Sequence, residues 1–204
     1  TKKISSMCNA RIIWGGDNSI SNIRKFELNQ RALDIAFADR YSFCVLNTLE
    51  ILKINNTQMQ RLIEKFYNDT YLVDQNACSS PHLILWLGKR ANRARKKFWK
   101  YLFNYVNRKY NLTETASIEK YTQLCSHILS LKNMKKYERY GNSIYTIQLN
   151  RLDKELHNLR GKWGFFYEYE INNLNKIKNY INNKYQTLTY FGLNQNILKD
   201  FILK

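Results

Sequence analysis

The chain has 204 residues, enough for one ordinary domain or two small ones without disulfides or a metal to hold them together. Hydrophobic residues make up 44% of it and aromatic residues 14%, which excludes an intrinsically disordered protein. The net charge of +17 would suit nucleic acid, a membrane surface or phosphorylated ligands. Its lysines are spread along every segment, as an AT-rich coding bias also produces, so the charge does not choose among these partners.

The first fifty residues predict strands alternating with a helix. Residues 9–14 form a short apolar run that ends at Gly15 and Gly16, and the polar capping residues 17–19 then precede a helical pattern at residues 20–26. Residues 41–46 predict a second strand, whereas residues 32–38 are ambiguous between helix and strand.

From residue 56 the apolar spacing becomes helical. The residues that recur at i, i+3, i+4, i+7 and i+8 are Met59, Leu62, Ile63, Phe66 and Tyr67. Beyond the interruption at residues 74–81, an apolar run covers residues 82–87 and a long basic and aromatic helix covers residues 88–110. The remaining pattern predicts a helix at 117–132, strands at 143–149 and 165–171, a helical stretch at 174–185, a strand at 188–191 and a helix at 194–203. Strands followed by helices predict an α/β protein.

The four cysteines predict reduced thiols. Cys8, Cys44, Cys78 and Cys125 lie far apart, with no C-x-x-C pair and no cluster with histidine. This spacing argues against a zinc site or a disulfide framework and favours a cytoplasmic protein. Cys44 and Cys125 sit in apolar patterns and read as core residues, whereas the setting of Cys8 is uninformative. No apolar run is long enough for a membrane span, and no signal-type apolar core follows the N-terminus.

Cys78 lies in the sharpest local feature, residues 74–81 with the sequence DQNACSSP, which holds the only proline. Ser80 and Pro81 favour a helix or tight turn beginning just after Cys78. Its sulfur would then lie near free amides and the positive end of a helix dipole, which favour a thiolate nucleophile. The same amides could receive the oxyanion formed when a thioester is attacked. The alternative is that Cys78 is a small buried core residue.

Three stretches in the right order carry a resemblance. Residues 74–81 resemble the Q-x-A-C-x-S-P stretch of the acyl-CoA reductases that supply fatty aldehyde to bacterial luciferase, the LuxC family of the aldehyde dehydrogenase superfamily. Residues 13–17 (IWGGD) resemble the family's tryptophan-glycine-glycine turn, and residues 39–42 (DRYS) resemble its next strand entry. Residues 186–192 (QTLTYFG) also resemble a family segment near the C-terminus.

The resemblance implies an aldehyde dehydrogenase-like fold. Residues 1–55 would end a Rossmann-type cofactor domain and residues 56–204 would form an α/β catalytic domain. No G-x-G-x-x-G pattern occurs, so the first half of a nucleotide-binding fold is expected to be missing. The implied reaction reduces a fatty acyl-CoA to the aldehyde with NADPH, through an acyl group carried by Cys78.

The resemblance also implies roles for other residues and partners. Gly15 and Gly16 would form the turn beside the cofactor, or serve as an ordinary strand-to-helix turn. Asp39 is the carboxylate nearest the superfamily's general base, although it could equally be a solvated or capping residue. Glu168 could orient the nicotinamide ribose, and His82 could share a helix face with Cys78 or simply be packed. An acyl-protein synthetase or acyltransferase is an implied partner, and a homo-oligomer is an open expectation.

Three other functions stay open on the sequence. The protein could oxidise a free aldehyde as aldehyde dehydrogenases do, or it could be an inactive fragment that serves as a structural subunit. The third alternative, from a different class, is a basic nucleic-acid-binding protein that uses the helix around residues 90–100. The resemblance ranks the acyl-CoA reductase first and predicts no nucleic-acid partner.

Overall fold

The computed structural model describes residues 1–203 and divides into two compact units, Thr1–Arg40 and the chain from Tyr41 onward. In the first unit a pair of parallel strands lies beside two short helices. Its elements are α1 (Lys2–Met7), β1 (Ala10–Trp14), α2 (Asp17–Arg24) and β2 (Leu33–Phe37).

A single arginine connects the parts of the first unit. The Arg11 guanidinium binds the Asp34 carboxylate of β2 at 2.9 Å and donates to the backbone carbonyls of Ile23 and Phe26 at 3.1 and 3.0 Å. Arg11 therefore joins the C-terminal end of α2 to the strand pair, and the paired guanidinium lowers the pKa of Asp34.

One face of the strand pair is apolar and exposed. Alternation along the two strands places large side chains on that face, and Trp14 is the most exposed of them at 81%. The exposed members are Ile12, Trp14, Leu33, Ile35 and Phe37.

The second unit is built on one six-stranded sheet. Its strands are β3 (Tyr41–Asn47), β4 (Leu83–Leu87), β5 (Met134–Tyr140), β6 (Ile144–Leu149), β7 (Phe165–Ile171) and β8 (Tyr185–Phe191). They lie in the order β5-β6-β7-β4-β3-β8, and every neighbouring pair is parallel except β5 and β6. The parallel strands therefore all begin at the same edge of the sheet, called here the amino edge.

Helices cover both faces of this sheet. The α-helices of the second unit are α3 (Thr48–Lys53), α4 (Asn56–Thr70), α5 (Ala91–Lys109), α6 (Glu114–Ser130) and α7 (Gln195–Leu203). One core packs α3, α4 and α5 against side chains such as Trp86 and Phe166, and the other packs α6 and two 3₁₀ turns against side chains such as Leu85 and Tyr167. Because both faces are covered, the central strands are apolar on both sides.

The α/β prediction is confirmed, with differences in particular elements. The ambiguous residues 32–38 contain strand β2, and α1, α3 and β5 were not predicted. The helical stretch predicted over 174–185 is a 3₁₀ helix at Leu174–Tyr180, and strand β8 already begins at Tyr185. Tyr185 pairs with Tyr41 of β3, so the end of the predicted helix is strand in the structure.

The boundary between the compact units falls after Arg40, ahead of the predicted boundary after residue 55. Residues 41–55 belong to the second unit because β3 pairs with both β4 and β8. The assignment of the two parts to cofactor binding and catalysis stays a prediction.

In the described part of the chain, no helix has the length and apolar character needed to cross a membrane. Across residues 1–203, no three or more histidine, cysteine, aspartate or glutamate side chains lie close enough together to hold a metal ion.

Candidate active site

The loop at residues 74–81 lies at the amino edge of the sheet, directly before β4. It follows a 3₁₀ turn (Tyr71–Val73) at the end of α4, leads into β4 and carries the exposed Cys78. Parallel α/β sheets usually bind ligands at the carboxyl ends of their strands. This loop with its exposed thiol lies at the opposite edge.

Backbone strain is concentrated around this loop. Of the four described non-glycine residues with a positive φ, Asp74 (54°), Gln75 (61°) and Trp163 (55°) belong to one small region. The Trp163 amide donates to the Asp74 carbonyl at 3.2 Å, which joins two of these residues. Such conformations cost about 1–3 kcal/mol each and cluster at functional sites, so the surrounding contacts must hold them in place.

Gln75 supplies most of those contacts. Its side chain is 1% exposed, and its Nε2 donates to the carbonyls of Pro81 and Phe165 at 3.0 Å each. Its Oε1 accepts from the amides of Gly164 and Phe165 at 3.1 Å each. All four hydrogen-bonding positions of the carboxamide are thus used. Gln75 joins the Cys78 loop to the first residues of β7.

Two buried serines fix the loop on its other sides. Ser42, at the start of β3, donates from Oγ to the Cys78 carbonyl at 2.6 Å. Ser80 donates from Oγ to the Asp69 carbonyl in the last turn of α4 at 2.7 Å. Both side chains are almost fully buried. The backbone of Cys78 is therefore held by β3, α4 and β7 together.

The Cys78 side chain itself is exposed. Its Sγ accepts a hydrogen bond from Gln186 Nε2 at 3.4 Å. Within residues 1–203, the backbone amides of Cys78 and Ser79 donate to no other group. Cys44, in strand β3, differs from Cys78 in exposure. It is buried, and burial raises the pKa of its thiol to about 12. The alternative that Cys78 is a core residue is thus wrong, and the prediction of Cys44 as core is confirmed.

The turn after Cys78 differs in part from the prediction. The Ser80 amide donates to the Ala77 carbonyl at 2.9 Å, which closes a tight turn, and the chain then enters strand β4. No helix begins at Pro81, so the helix dipole predicted beside the sulfur is absent. Pro81 precedes a strand because the next residues pair with β3 and β7 on both sides.

His82 is a packed residue of the same edge. It is 5% exposed, its Nδ1 accepts from the Gly161 amide at 3.3 Å, and its ring stacks on Tyr41 with 5.5 Å between the ring centroids. Burial lowers the pKa of His82 to about 4, with a contribution from the positive charge of Arg160. The imidazole is neutral at pH 7, and it braces the segment before β7.

Glu168 lies in the interior of the second unit, on the face covered by α5. It is 1% exposed, and its Oε1 accepts from the indoles of Trp86 and Trp99 at 3.0 and 2.5 Å. Its Oε2 lies 3.1 Å from Arg95 Nε, an ion pair that is not aligned as a hydrogen bond. This position argues against the predicted contact with a nicotinamide ribose, because protein atoms enclose the carboxylate. We leave Glu168 out of the candidate site.

The stability of the protein is expected to depend on the protonation of Glu168. Burial raises the pKa of Glu168 from an ordinary 4.5 to about 7, in spite of Arg95 and the two indole donors. Its contribution to the free energy of unfolding is therefore complete below pH 4.5 and is lost as the pH rises through 7, by about 3 kcal/mol. His82 has the opposite sign, because its folded-state pKa is lowered.

Comparison of wild type with Glu168→Gln separates the contribution of Glu168 from that of His82. We expect the difference in unfolding free energy between the two proteins to change between pH 4.5 and 7.5, with the variant gaining relative stability as the pH rises. Urea unfolding at several pH values measures it. A difference that is constant with pH would contradict the raised pKa of Glu168.

Gly15 and Gly16 form the turn between β1 and α2 in the first unit. Gly16 has φ −68°, and neither glycine has a positive φ. A Cβ at Gly16 would meet nothing within 4 Å, and one at Gly15 would make only ordinary contacts with Ser19. Neither backbone conformation nor packing within the described chain requires glycine here. The open space beside Gly16 would admit a ligand that approaches the backbone.

Asp39 belongs to the first unit and is half-buried in the segment that links β2 to β3. Its role as a general base stays a prediction. No contact joins Glu168 to Cys78 within residues 1–203, so these two predicted residues do not form one site.

The sequence reasoning did not assign roles to Ser42, Gln75 or Gln186. Each lies inside one of the stretches that resemble the family, and this position was the only feature of the sequence that could have pointed to them. Their actions depend on contacts between segments far apart in the chain, such as Gln75 with Phe165 and Gln186 with Cys78.

Comparison with known proteins gives both a family and a fold. A sequence profile described as acyl-CoA reductase (LuxC) matches residues 1–163. No curated protein matches the chain by sequence. An NAD-dependent aldehyde dehydrogenase of Sinorhizobium meliloti has a similar structure, with a TM-score of 0.65 and 8% identity over 99% of this chain and 43% of that one. Betaine aldehyde dehydrogenase of Staphylococcus aureus gives a TM-score of 0.63 and 11% identity over 99% of this chain and 43% of its own.

At these identities the similarity shows the fold alone, that of the aldehyde dehydrogenases. The chain spans less than half the length of these structures.

Proposed function

Since the chain belongs to the LuxC family of acyl-CoA reductases, we propose that it carries out the acyl-transfer step of fatty acyl-CoA reduction, with Cys78 as the nucleophile. The observation that supports this most is the exposed side chain of Cys78 in a loop held by Ser42, Gln75 and Ser80. A nucleophile on a rigid loop loses little entropy when it attacks a bound substrate.

The proposed step is a thioester exchange. The Cys78 thiolate attacks the carbonyl carbon of the acyl-CoA, so that a C–S bond forms and the carbonyl π electrons move to oxygen. The amides of Cys78 and Ser79 are available as donors to this oxyanion. When the carbonyl re-forms, the bond to the sulfur of CoA breaks, and CoA leaves as its thiolate and takes a proton from water. The acyl group is then held on Cys78.

The proposed cofactor is NADPH, with Gly15 and Gly16 at the turn beside it. Nothing in the described chain lies within 4 Å of a Cβ built on Gly16, so a dinucleotide could approach the backbone there. When bound, the nicotinamide would supply the hydride that reduces the acyl thioester to aldehyde. Asp39 stays our candidate for the general base.

The family suggests the partners and the cellular setting that we propose here. We propose a fatty acyl-CoA as substrate, with an acyl-protein synthetase or acyltransferase as an acyl donor, and a cytoplasmic location. Aldehyde supply for luminescence is one use of the product. Comparing acyl-CoA plus NADPH with aldehyde plus NADP separates reduction from aldehyde oxidation.

Incubating the chain with a long-chain acyl-CoA is expected to add one acyl group, seen by intact mass and mapped by peptide analysis to Cys78. The Cys78→Ala variant should lose the adduct completely, since no other sulfur occupies the loop. Cys125→Ala is the matched control, because Cys125 is a half-buried thiol of α6 in the same unit. An adduct that persists in Cys78→Ala, or that never forms in wild type, would refute the proposal.

A further inference from the structure

We propose that Gln186 is a catalytic residue of this site. Its Nε2–H group donates a hydrogen bond first to the Cys78 thiolate and then to the oxyanion of the acyl adduct. Its Nε2 contacts the reacting sulfur at 3.4 Å, and both side chains are exposed. This inference rests on the proposed function of Cys78 and assigns a second residue to the same chemistry.

A β-bulge places Gln186 beside the sulfur. In the pairing of β3 with β8, Tyr41 is opposite Tyr185 and Ser42 is opposite Thr187, so Gln186 is the extra residue. A bulge leaves one residue out of the ladder and changes the direction of its side chain, and bulges are frequent next to active sites.

The packing of β8 confirms the change in alternation. Tyr185 and Leu188 pack against the same core, although an uninterrupted strand would place residues three apart on opposite faces. The bulge lets both pack inward and leaves Gln186 at the amino edge, where the Cys78 loop lies.

Strands β3 and β8 hold Cys78 at two points beside the bulge. Ser42, beside the bulge on β3, donates to the Cys78 carbonyl at 2.6 Å, and Gln186, on β8, donates to its sulfur. The backbone and the side chain of the nucleophile are thus set by one pair of strands. A shift in that pairing would move both contacts together.

A carboxamide suits the chemistry of this position. It has no charge at any working pH, so its N–H donates throughout, and a hydrogen bond to an anion is about twice as strong as one to a neutral acceptor. Attack turns the carbonyl oxygen into an anion on the carbon that has just bonded to Sγ. A donor in contact with the sulfur can therefore reach that oxygen by a small rotation and act with the amides of Cys78 and Ser79.

The test compares Gln186→Glu and Gln186→Ala with wild type in the 204-residue chain. Glutamate keeps the length and shape of the side chain but replaces the donor by a carboxylate, which repels both the thiolate and the oxyanion. Gln60→Ala is the matched control, because Gln60 is an exposed glutamine on α4. Two rates are measured at Cys78 by peptide mapping: acylation by a long-chain acyl-CoA, and alkylation by iodoacetamide from pH 6 to 10.

We expect acylation to fall about tenfold to a hundredfold in Gln186→Ala and further in Gln186→Glu, with Gln60→Ala unchanged. Alkylation forms no oxyanion and should change less in Gln186→Ala, while its midpoint moves to higher pH in Gln186→Glu. Unchanged acylation in Gln186→Glu would overturn the role of Gln186 and leave that of Cys78 intact. If Cys78 of the wild type is not acylated, the proposed function fails. The contact of Gln186 with the thiolate is then tested by alkylation alone, and an unchanged alkylation profile in Gln186→Glu would overturn it.

Discussion

Replacing Gln75 by leucine is expected to lower the free energy of unfolding of the second unit by about 3–5 kcal/mol. Leucine fills a similar volume but leaves the carbonyls of Pro81 and Phe165 and the amides of Gly164 and Phe165 without their partner. A buried polar group left unpaired costs about 1–3 kcal/mol, and relaxation of the loop recovers part of that sum. Acylation of Cys78 should fall as well, because the loop loses its connection to β7.

Urea unfolding followed by tryptophan fluorescence measures the loss. A Trp14→Phe background restricts the signal to the second unit, since the other tryptophans are Trp86, Trp99 and Trp163. Gln148→Leu is the matched control, a buried glutamine that makes one side-chain hydrogen bond, to Glu170 at 2.8 Å. Equal losses in the two variants would show that Gln75 does not have the special role that its four bonds indicate.

Replacing Arg95 by methionine is expected to destabilise the second unit by about 3–5 kcal/mol, because it leaves a buried charge uncompensated. Arg95 is 2% exposed, pairs with Glu168, and binds Glu170 Oε1 at 2.8 Å. Without it, the Glu168 carboxylate would keep only the two indole donors. Because Arg95 lowers the pKa of Glu168, the variant should go on losing stability to a higher pH than the wild type does.

The double variant Arg95→Met with Glu168→Gln identifies the cause. Glutamine removes the charge and keeps the shape, so the pair should recover a large part of the loss. Unfolding of the wild type, both single variants and the double variant at pH 8 gives the coupling energy between the two positions. If the double variant is no more stable than Arg95→Met, the loss comes from other contacts of the arginine, such as that of its guanidinium with the Trp86 ring at 5.7 Å from the ring centroid, and not from the buried carboxylate.

Local periodicity was a reliable guide to the regular elements. Helix α4 follows the helical spacing of Met59, Ile63 and Phe66, and all three side chains are buried as that spacing predicts. The long helix α5 and strand β7 were likewise apparent from their patterns. Element α3 was missed because its six residues are too few to show a period, and β5 because its side chains are only partly buried.

Glu168 shows what a local pattern leaves open and a family resemblance cannot supply. The alternation of tyrosine and glutamate along β7 predicts a strand, and the strand is present, but alternation does not reveal what covers each face. Residues of α5, far earlier in the chain, bury Glu168 beneath Trp99 and Arg95. A cofactor role assigned from the sequence could not take that into account.

The α/β class and most of the helices and strands could be predicted from the sequence, because they depend on residues close together in the chain, and the family resemblance of residues 74–81 selected Cys78. The contacts that hold Cys78 became apparent only in the folded protein. Gln75 acts on residues 90 positions away, and Gln186 reaches Cys78 across 108 positions through a bulge between two strands. Such contacts depend on which strands become neighbours, and strand pairing is a property of the whole folded sheet that no local pattern contains.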